Sequence, residues 1–212
     1  MHKNFVYIDE MISGIRWDAK YATSDNFTGA PVDGYEVNRI VGTREMAQAL
    51  KKVSEKAKEK GYGLLLWDGY RPQCAVDCFV RWVESNTEET TKEKHYPNID
   101  KKDMFKQGYI AEKSGHSRGS TIDLTLYDLK TNEALDMGGC FDYMDEISHF
   151  DNENISLRAF RNRIILRELM ESGGFAPYEY EWWHFTLKNE PFPDTYFSFA
   201  ISNEPTELLR AI

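Results

Sequence analysis

Apolar residues first repeat with helical spacing after residue 43. They recur every three or four positions, at Met46, Leu50, Val53 and Ala57. Thr43 stands before this repeat, where its side chain can cap the first turn, and Glu45 favours the same helix end. Gly61 follows the repeat and suits a helix stop. The pattern predicts a helix between Thr43 and Gly61.

Two more helices are predicted by similar patterns. One begins at Pro72, because proline is favoured at the first helical position, and runs to about Glu84. The other covers residues 157–171 and is ended by Gly173 and Gly174. Its apolar side is expected to consist of Leu157, Phe160, Ile164 and Leu169.

Strands are predicted where apolar residues are continuous or alternate with polar ones. Residues 64–67 form a short apolar run that suits a buried strand. Apolar and polar positions alternate over residues 122–127, which is typical of a strand with two different faces. Residues 178–187 are rich in aromatic, β-prone side chains. Residues 5–42 instead look irregular, with several turn signals.

These elements together indicate one α+β domain over residues 1–212, with helices packed on an antiparallel sheet. Residues 85–107 are polar and rich in charge, and we interpret them as an excursion over the surface. The sequence leaves open whether this excursion is a lid over a site or a solvated loop without a role.

Composition and charge narrow the classes of partner. Apolar residues make up 41% of the chain, enough for a core without disulfides, and the three cysteines are expected to be free thiols. The net charge of −9 argues against nucleic acid and anionic membrane surfaces as main partners. No apolar stretch could span a bilayer and the N-terminus is no signal peptide, so we expect a cytoplasmic protein. The oligomeric state, a homodimer included, stays open.

Two short strings combine residues that can bind and use a metal ion. Residues 114–123 read SGHSRGSTID, and residues 181–184 read EWWH. A catalytic zinc ion takes three protein ligands and keeps one position for water. Three residues of these strings can be such ligands: His116, Asp123 and His184. Glu181 remains free to act as a base on the water, so the pairing predicts metal-assisted hydrolysis.

The first string can bring its two candidate ligands together. Asp123 alternates with Ile122 and Leu124, so its side chain faces a site or solvent rather than the apolar core. Gly119 would permit the loop that carries His116 to fold back toward Asp123.

The second string poses a difficulty. Glu181 and His184 are three positions apart, which would place them on one face of a helix but not of a regular strand. Because the surrounding sequence favours a strand, we expect a bulge or a strand end near Trp182 and Trp183.

Arg71 lies between the predicted strand at residues 64–67 and Pro72. A guanidinium fixed there could stabilise the oxyanion of a tetrahedral intermediate. A structural ion pair with Asp68 is the alternative. The other histidines lie outside any ligand pattern and are expected at the surface: His2, His95 and His149.

The order Ser-x-His-(x)6-Asp followed by Glu-x-x-His resembles the zinc D,D-peptidases related to the Hedgehog N-terminal domain, and among them the VanX-type D-alanyl-D-alanine dipeptidases. The likeness runs from about residue 5 to residue 199, and the tail at about 200–212 has no counterpart. Thr121 replaces a usual alanine, and Gly115 replaces a common serine. The supporting strings are residues 16–23, 25–29, 67–72, 141–146 and 181–184.

The resemblance implies a Hedgehog/D,D-peptidase-like fold and a role for each candidate residue. One Zn²⁺ per chain would be bound by His116, Asp123 and His184. Glu181 would be general base and then general acid, and Arg71 would stabilise the oxyanion. The ammonium group of a small dipeptide substrate would be held by Asp142 with Tyr21, and its carboxylate by Ser114.

The implied activity is zinc-dependent hydrolysis of D-alanyl-D-alanine to two D-alanines. It would lower the supply of this dipeptide for peptidoglycan precursors, in vancomycin-type glycopeptide resistance or in D-alanine recycling. One alternative is a D,D-carboxypeptidase that acts on muramyl pentapeptide precursors. A second is a zinc-bearing binding domain without catalysis.

Overall fold

The computed structural model describes residues 1–203. The strands are β1 (Phe5–Tyr7), β2 (Arg16–Trp17), β3 (Val41–Thr43), β4 (Tyr62–Asp68), β5 (Thr121–Asp128), β6 (Phe175–Tyr178) and β7 (Glu181–Leu187). The helices are α1 (Ile8–Met11), α2 (Arg44–Glu59), α3 (Gln73–Glu84), α4 (Lys92–His95) and α5 (Leu157–Ser172). Short 3₁₀ turns cover Lys20–Ala22, Lys101–Asp103, Gly115–Arg118 and Glu146–Ser148.

A five-stranded sheet in the order β2-β4-β5-β7-β6 forms the centre of the fold. Its pairs are antiparallel except for β2, which runs parallel to β4. The predicted α+β class is confirmed, and the sheet is antiparallel apart from this edge. Residues 5–42, predicted to be irregular, contain β1, β2, α1 and the beginning of β3. These pieces are two to four residues long, too short to produce a periodic pattern.

Helices α2 and α3 follow their sequence signals closely. The Thr43 hydroxyl accepts a hydrogen bond from the Met46 N–H (3.3 Å), and Gly61 has the left-handed φ of 86° that ends the segment. Helix α3 begins at Gln73, so Pro72 stands just before the first helical residue. Strand β4 lies between these two helices in the chain and pairs with β2 and β5 in the sheet.

Helix α5 has nearly the predicted span but a different buried face. Leu157 is 64% exposed, whereas Asn162 and Arg163 are buried. The predicted apolar side is therefore wrong, although Leu169 does lie in the core. The reason is physical: these two polar side chains satisfy backbone carbonyls of a neighbouring loop, so apolar periodicity does not mark the inner face.

The excursion at 85–107 contains α4 and a 3₁₀ turn, and it is anchored by buried side chains. Tyr96 and Met104 are fully buried and Ile99 nearly so. His95 is 3% exposed, which corrects the expectation of a surface histidine. Single apolar anchors in a charged segment give no periodicity, so the sequence could not show which residues face inward. His2 and His149 are half-buried.

The C-terminal segment returns to the body of the fold. Ile201 bridges to Tyr35, and the Phe197 N–H donates to the Ser117 carbonyl (2.9 Å). The remainder of the predicted tail, residues 204–212, lies outside the described residues. None of the helices within residues 1–203 combines the length and hydrophobicity that a membrane crossing requires.

Candidate active site

A cleft of about 340 Å³ lies where β4, β5 and β7 meet the loops that follow and precede them. All eight residues singled out in the sequence line it: Tyr21, Arg71, Ser114, His116, Asp123, Asp142, Glu181 and His184. They come from six separate segments of the chain. The fold thus gathers the predicted residues into one concave surface.

Three of these residues form a cluster that could hold a metal ion. Their ligand atoms all lie within 4.8 Å of one another. His116 Nε2 is 3.3 Å from His184 Nδ1 and 3.3 Å from Asp123 Oδ2, and His184 Nδ1 is 3.1 Å from Asp123 Oδ1. Asp123 Oδ1 is buried without a hydrogen bond. Burying a carboxylate oxygen in this way is costly unless a cation neutralises it.

The backbone explains this convergence. Asp123 of β5 and His184 of β7 are directly paired in the sheet, so their side chains stand next to each other on one face. His116 lies in the 3₁₀ turn before β5. Gly119 follows with a φ of 85°, and its N–H donates to the His116 carbonyl (2.9 Å). The expected fold-back through this glycine is confirmed.

The irregularity that the sequence required in β7 is present. Pro177 pairs with Phe185, but the next residue, Tyr178, pairs with Glu181. The residues between lie in a bulge, and the consecutive Trp182 and Trp183 are both buried. This break brings Glu181 Oε2 to 3.3 Å from the Nδ1 atom of His184. The prediction of a bulge is confirmed.

Hydrogen bonding fixes the imidazole of His116. Its Nδ1 lies 2.7 Å from the Gly69 carbonyl oxygen, so Nδ1 carries the proton and donates. The lone pair of Nε2 is then directed toward Asp123 and His184. An outer hydrogen bond of this kind orients histidines that bind metals.

Burial and neighbouring charges shift the pKa values of three groups in the cleft. Burial alone would raise the pKa of Asp123, but the adjacent imidazoles of His116 and His184 hold that pKa below its usual range. Burial opposes protonation of His184, yet the neighbouring Asp123 raises the pKa of that imidazole. Burial raises the pKa of Glu181, which suits a carboxylate that takes up and releases a proton.

Arg71 forms the structural ion pair predicted for it and also lies at the cleft, where its oxyanion role stays a prediction. Its Nε and Nη2 donate to Asp68 Oδ2 at 3.0 and 2.9 Å, which is the structural ion pair. Nη2 also lies 3.7 Å from Asp123 Oδ2, inside the cleft. The second oxygen of Asp68 accepts a hydrogen bond from Tyr35 Oη (2.7 Å). Asp68 therefore fixes the guanidinium beside the cluster.

The ammonium-binding candidates lie together on another wall of the cleft. The Tyr21 hydroxyl donates to Asp142 Oδ2 (2.8 Å). Burial raises the pKa of Asp142 well above its usual range, and the hydrogen bond from Tyr21 offsets this in part. Asp142 has a positive φ of 55°, which is uncommon for a residue other than glycine. Ser114 lines the cleft as well, and its hydroxyl accepts the His116 N–H (3.3 Å).

Several lining residues were not among the sequence candidates. Four tyrosines contribute to the cleft walls: Tyr109, Tyr143, Tyr178 and Tyr180. Asp68 and Tyr35 orient Arg71 from outside it. Asp68 has a sequence signal, because it belongs to the string at residues 67–72 that also contains Arg71. Tyr143 likewise belongs to the string at residues 141–146, and Tyr178 and Tyr180 to the aromatic segment at 178–187, whereas Tyr109 has no signal beyond the aromatic content of 14%.

Comparison with known proteins identifies the family of the chain. The family described as D-ala-D-ala dipeptidase, Peptidase_M15, matches residues 1–202. The D-alanyl-D-alanine dipeptidases of Enterococcus faecalis and Streptomyces coelicolor are each 57% identical over 202 residues, covering 95% of this chain and 100% of the relative. The D-alanyl-D-alanine dipeptidase of Escherichia coli is 36% identical over 170 residues, covering 80% of this chain and 77% of that protein. The chain belongs to the M15 family of metallopeptidases.

Proposed function

We propose that this chain hydrolyses D-alanyl-D-alanine to two D-alanines with one bound zinc ion. The observation that carries the proposal is the cluster of His116, Asp123 and His184 with Glu181 at its edge, in the same cleft as the half-buried Asp142. The cluster with Glu181 would provide metal-assisted hydrolysis, and Asp142 would provide a site for a free ammonium. Family membership and the names of the relatives support the substrate.

The donor set fits zinc. Atoms bound to a tetrahedral zinc ion at roughly 2.0–2.1 Å lie about 3.3 Å apart. The two imidazole nitrogens are 3.3 Å apart, and each lies close to one oxygen of Asp123: His116 Nε2 is 3.3 Å from Oδ2, and His184 Nδ1 is 3.1 Å from Oδ1. Two imidazole nitrogens with one carboxylate form a ligand set that leaves a coordination position open. The buried Asp123 oxygen without a hydrogen bond is the atom that such an ion would satisfy.

Bound zinc would polarise the scissile carbonyl and acidify the attacking water. Glu181 accepts the proton of that water and transfers it to the leaving amine, a task helped by its raised pKa. Arg71, fixed by Asp68, directs hydrogen-bond donors toward the oxygen that gains negative charge. The presence of these two residues beside the cluster favours an enzyme over a binding domain without catalysis.

The two ends of the dipeptide are assigned by charge. Asp142, supported by Tyr21, binds the free ammonium, and Ser114 contacts the carboxylate. This half-buried carboxyl favours a charged ammonium, because an acylated or extended N-terminus brings no positive charge to pair with it. This arrangement favours a dipeptidase over a carboxypeptidase that trims muramyl pentapeptide precursors.

Hydrolysis of D-alanyl-D-alanine would reduce the supply of this dipeptide for peptidoglycan precursors. The cellular contexts we propose are glycopeptide resistance of the vancomycin type and D-alanine recycling. We also propose a cytoplasmic location. The free thiols of Cys74, Cys78 and Cys140 suit a reducing compartment.

The test is release of D-alanine from D-alanyl-D-alanine by the purified chain, with zinc, with a chelator, and after zinc is restored. N-acetyl-D-alanyl-D-alanine is assayed in parallel. Zinc-dependent cleavage of the free dipeptide alone supports the proposal. Cleavage of both compounds, or preference for the acetylated one, would assign a carboxypeptidase. Zinc binding without any cleavage would contradict both enzymatic assignments.

A further inference from the structure

The segment that carries Asp142 is a loop whose two ends meet at one buried guanidinium. Arg163 of α5 is fully buried. Its Nε donates to the Met137 carbonyl (2.6 Å) at the beginning of the loop. Its Nη2 and Nη1 donate to the carbonyls of Ile147 (2.8 Å) and His149 (2.7 Å) at the end. Residues 137–149 thus form a compact loop that is closed at its neck.

Arg163 is charged although its three partners in this neck are carbonyls rather than carboxylates. Burial lowers its pKa to about 10, with the charge of Asp136 opposing that shift, so the guanidinium stays protonated at neutral pH. Hydrogen bonds from a charged donor are stronger than neutral ones, and three of them share one rigid, planar group. The neck is therefore fixed in position and in orientation.

The interior of the loop needs such support. Asp142 has the positive φ noted above, a conformation that persists only when the surroundings impose it. Part of the support comes from inside the loop, since Phe141 packs on Trp67 and Trp183 with ring centroids 5.0 and 5.5 Å apart. Part comes from the excursion at 85–107, where the His95 carbonyl accepts the Met144 N–H (2.7 Å).

We propose that Arg163 is a positioning residue for substrate recognition: by closing the neck of loop 137–149 it holds Asp142 where the ammonium group of the dipeptide binds. The inference rests on the proposed function of Asp142. The hydrogen bonds of Arg163 go to this loop and not to the zinc ligands or Glu181, although its guanidinium also lies over the ring of Trp182 in β7, 5.7 Å from the centroid. Its loss should therefore weaken substrate binding more than it slows the chemical step.

The main test is Arg163→Lys, which keeps the charge but cannot hold three carbonyls in one plane. We expect kcat/KM for D-alanyl-D-alanine to fall roughly 10- to 100-fold, mostly through KM, because small misplacements of a binding group have effects of this size. Zinc stoichiometry should remain one per chain. Amide hydrogen exchange should accelerate in residues 138–148 but not in β5.

Two further variants make the test specific. Arg167→Lys is the control and should leave all readouts unchanged. Arg167 lies one turn later on the same helix, and its Nε pairs with Glu171 on the surface (3.1 Å). Asn162→Ala removes one neighbouring hydrogen bond, from Nδ2 to the Asp136 carbonyl (2.8 Å). Asn162→Ala should also raise KM, but by a smaller factor. It serves as the test variant if Arg163→Lys does not fold.

A double-substitution cycle separates positioning from general stability. In an Asp142→Asn background, Arg163→Lys should raise KM little further, because the group that it positions has already lost its charge. Equal effects in both backgrounds, an unchanged KM, or a lower kcat that follows zinc loss would each overturn the inference. A wild-type chain that fails to cleave the dipeptide contradicts the proposed function instead, and the exchange measurement then decides whether Arg163 holds the loop.

Discussion

The side chain of Thr121 occupies the space that a side chain at position 115 would need. A Cβ atom added to Gly115 would lie 3.0 Å from Thr121 Oγ1 and 3.4 Å from Arg118 Nη2. Thr121 Oγ1 is also hydrogen-bonded to Thr186 Oγ1 (2.9 Å). Gly115 and Thr121 are the two residues beside the proposed zinc ligands that the resemblance described above marks as departures. The departures are complementary, because a larger residue at 121 faces a smaller one at 115.

We expect Gly115→Ser to destabilise the fold by about 1–3 kcal/mol, the usual cost of overpacking. Thr121→Ala in the same chain should recover much of that loss, because it removes the atom that is in the way. Urea denaturation of the two single variants and the double variant measures the coupling. Strictly additive changes in the free energy of unfolding would contradict the complementarity.

Glu181→Gln should bind zinc and substrate but turn over slowly. The amide is similar in size to the carboxylate and cannot accept the proton of the attacking water, so kcat should fall by about 10²–10⁴-fold. Zinc content by atomic absorption and kcat for D-alanyl-D-alanine are the two measurements. Glu171→Gln on the surface of α5 is the matched control and should be neutral. A variant with normal zinc content and near-normal kcat would show that the base is another group.

The sequence could predict the site because its chemistry is concentrated in short strings. The three ligand candidates and Glu181 lie in two strings of ten and four residues, and the spacing of Glu181 and His184 even required the bulge that β7 contains. Arg71 was placed correctly at the end of a strand, since a buried apolar run and a following proline are local signals.

What the sequence could not predict depends on contacts between distant segments. Arg163 looks like a surface residue of an amphipathic helix, and its burial makes sense only with the carbonyls of residues 137–149 in place. The burial of His95 also depends on a distant segment, because its Nδ1 lies 3.2 Å from the carbonyl oxygen of Asp142, 47 residues away. Strand β2 has two residues and exists only through its pairing with β4. Periodicity contains no information on such partners.

Binding of the dipeptide should depend on pH through Asp142. Burial raises the pKa of this carboxyl well above its usual range, so in the free enzyme it is protonated at pH values where an exposed aspartate is charged. The neutral acid cannot pair with the ammonium, and kcat/KM should therefore fall as the pH drops through this raised pKa. The pH profile of kcat/KM reports groups of the free enzyme. Asp142→Asn should have a low kcat/KM that lacks this acidic limb, and an unaltered limb in the variant would assign it to another group.

The hydroxyl of Tyr35 should matter for catalysis although it lies outside the cleft. Asp68 is fully buried, and its two oxygens accept hydrogen bonds from Tyr35 on one side and Arg71 on the other. Tyr35→Phe leaves one buried carboxylate oxygen without a partner, which costs about 1–3 kcal/mol of stability. Asp68 can then rotate toward another donor, and the guanidinium of Arg71 loses its fixed orientation beside the metal cluster.

We therefore expect Tyr35→Phe to lower kcat by about tenfold, the effect of roughly 1.4 kcal/mol on the barrier, with zinc content unchanged. Steady-state kinetics measures kcat, zinc analysis measures the metal content, and urea denaturation measures the loss of stability. Tyr62→Phe is the matched control, because Tyr62 is a half-buried tyrosine at the start of β4 and lies away from the cleft. Stability loss with normal kcat would mean that Arg71 needs only its ion pair with Asp68. Zinc loss would instead mean that Asp68 acts through the imidazole of His116, whose Nδ1 is 3.5 Å from Asp68 Oδ2.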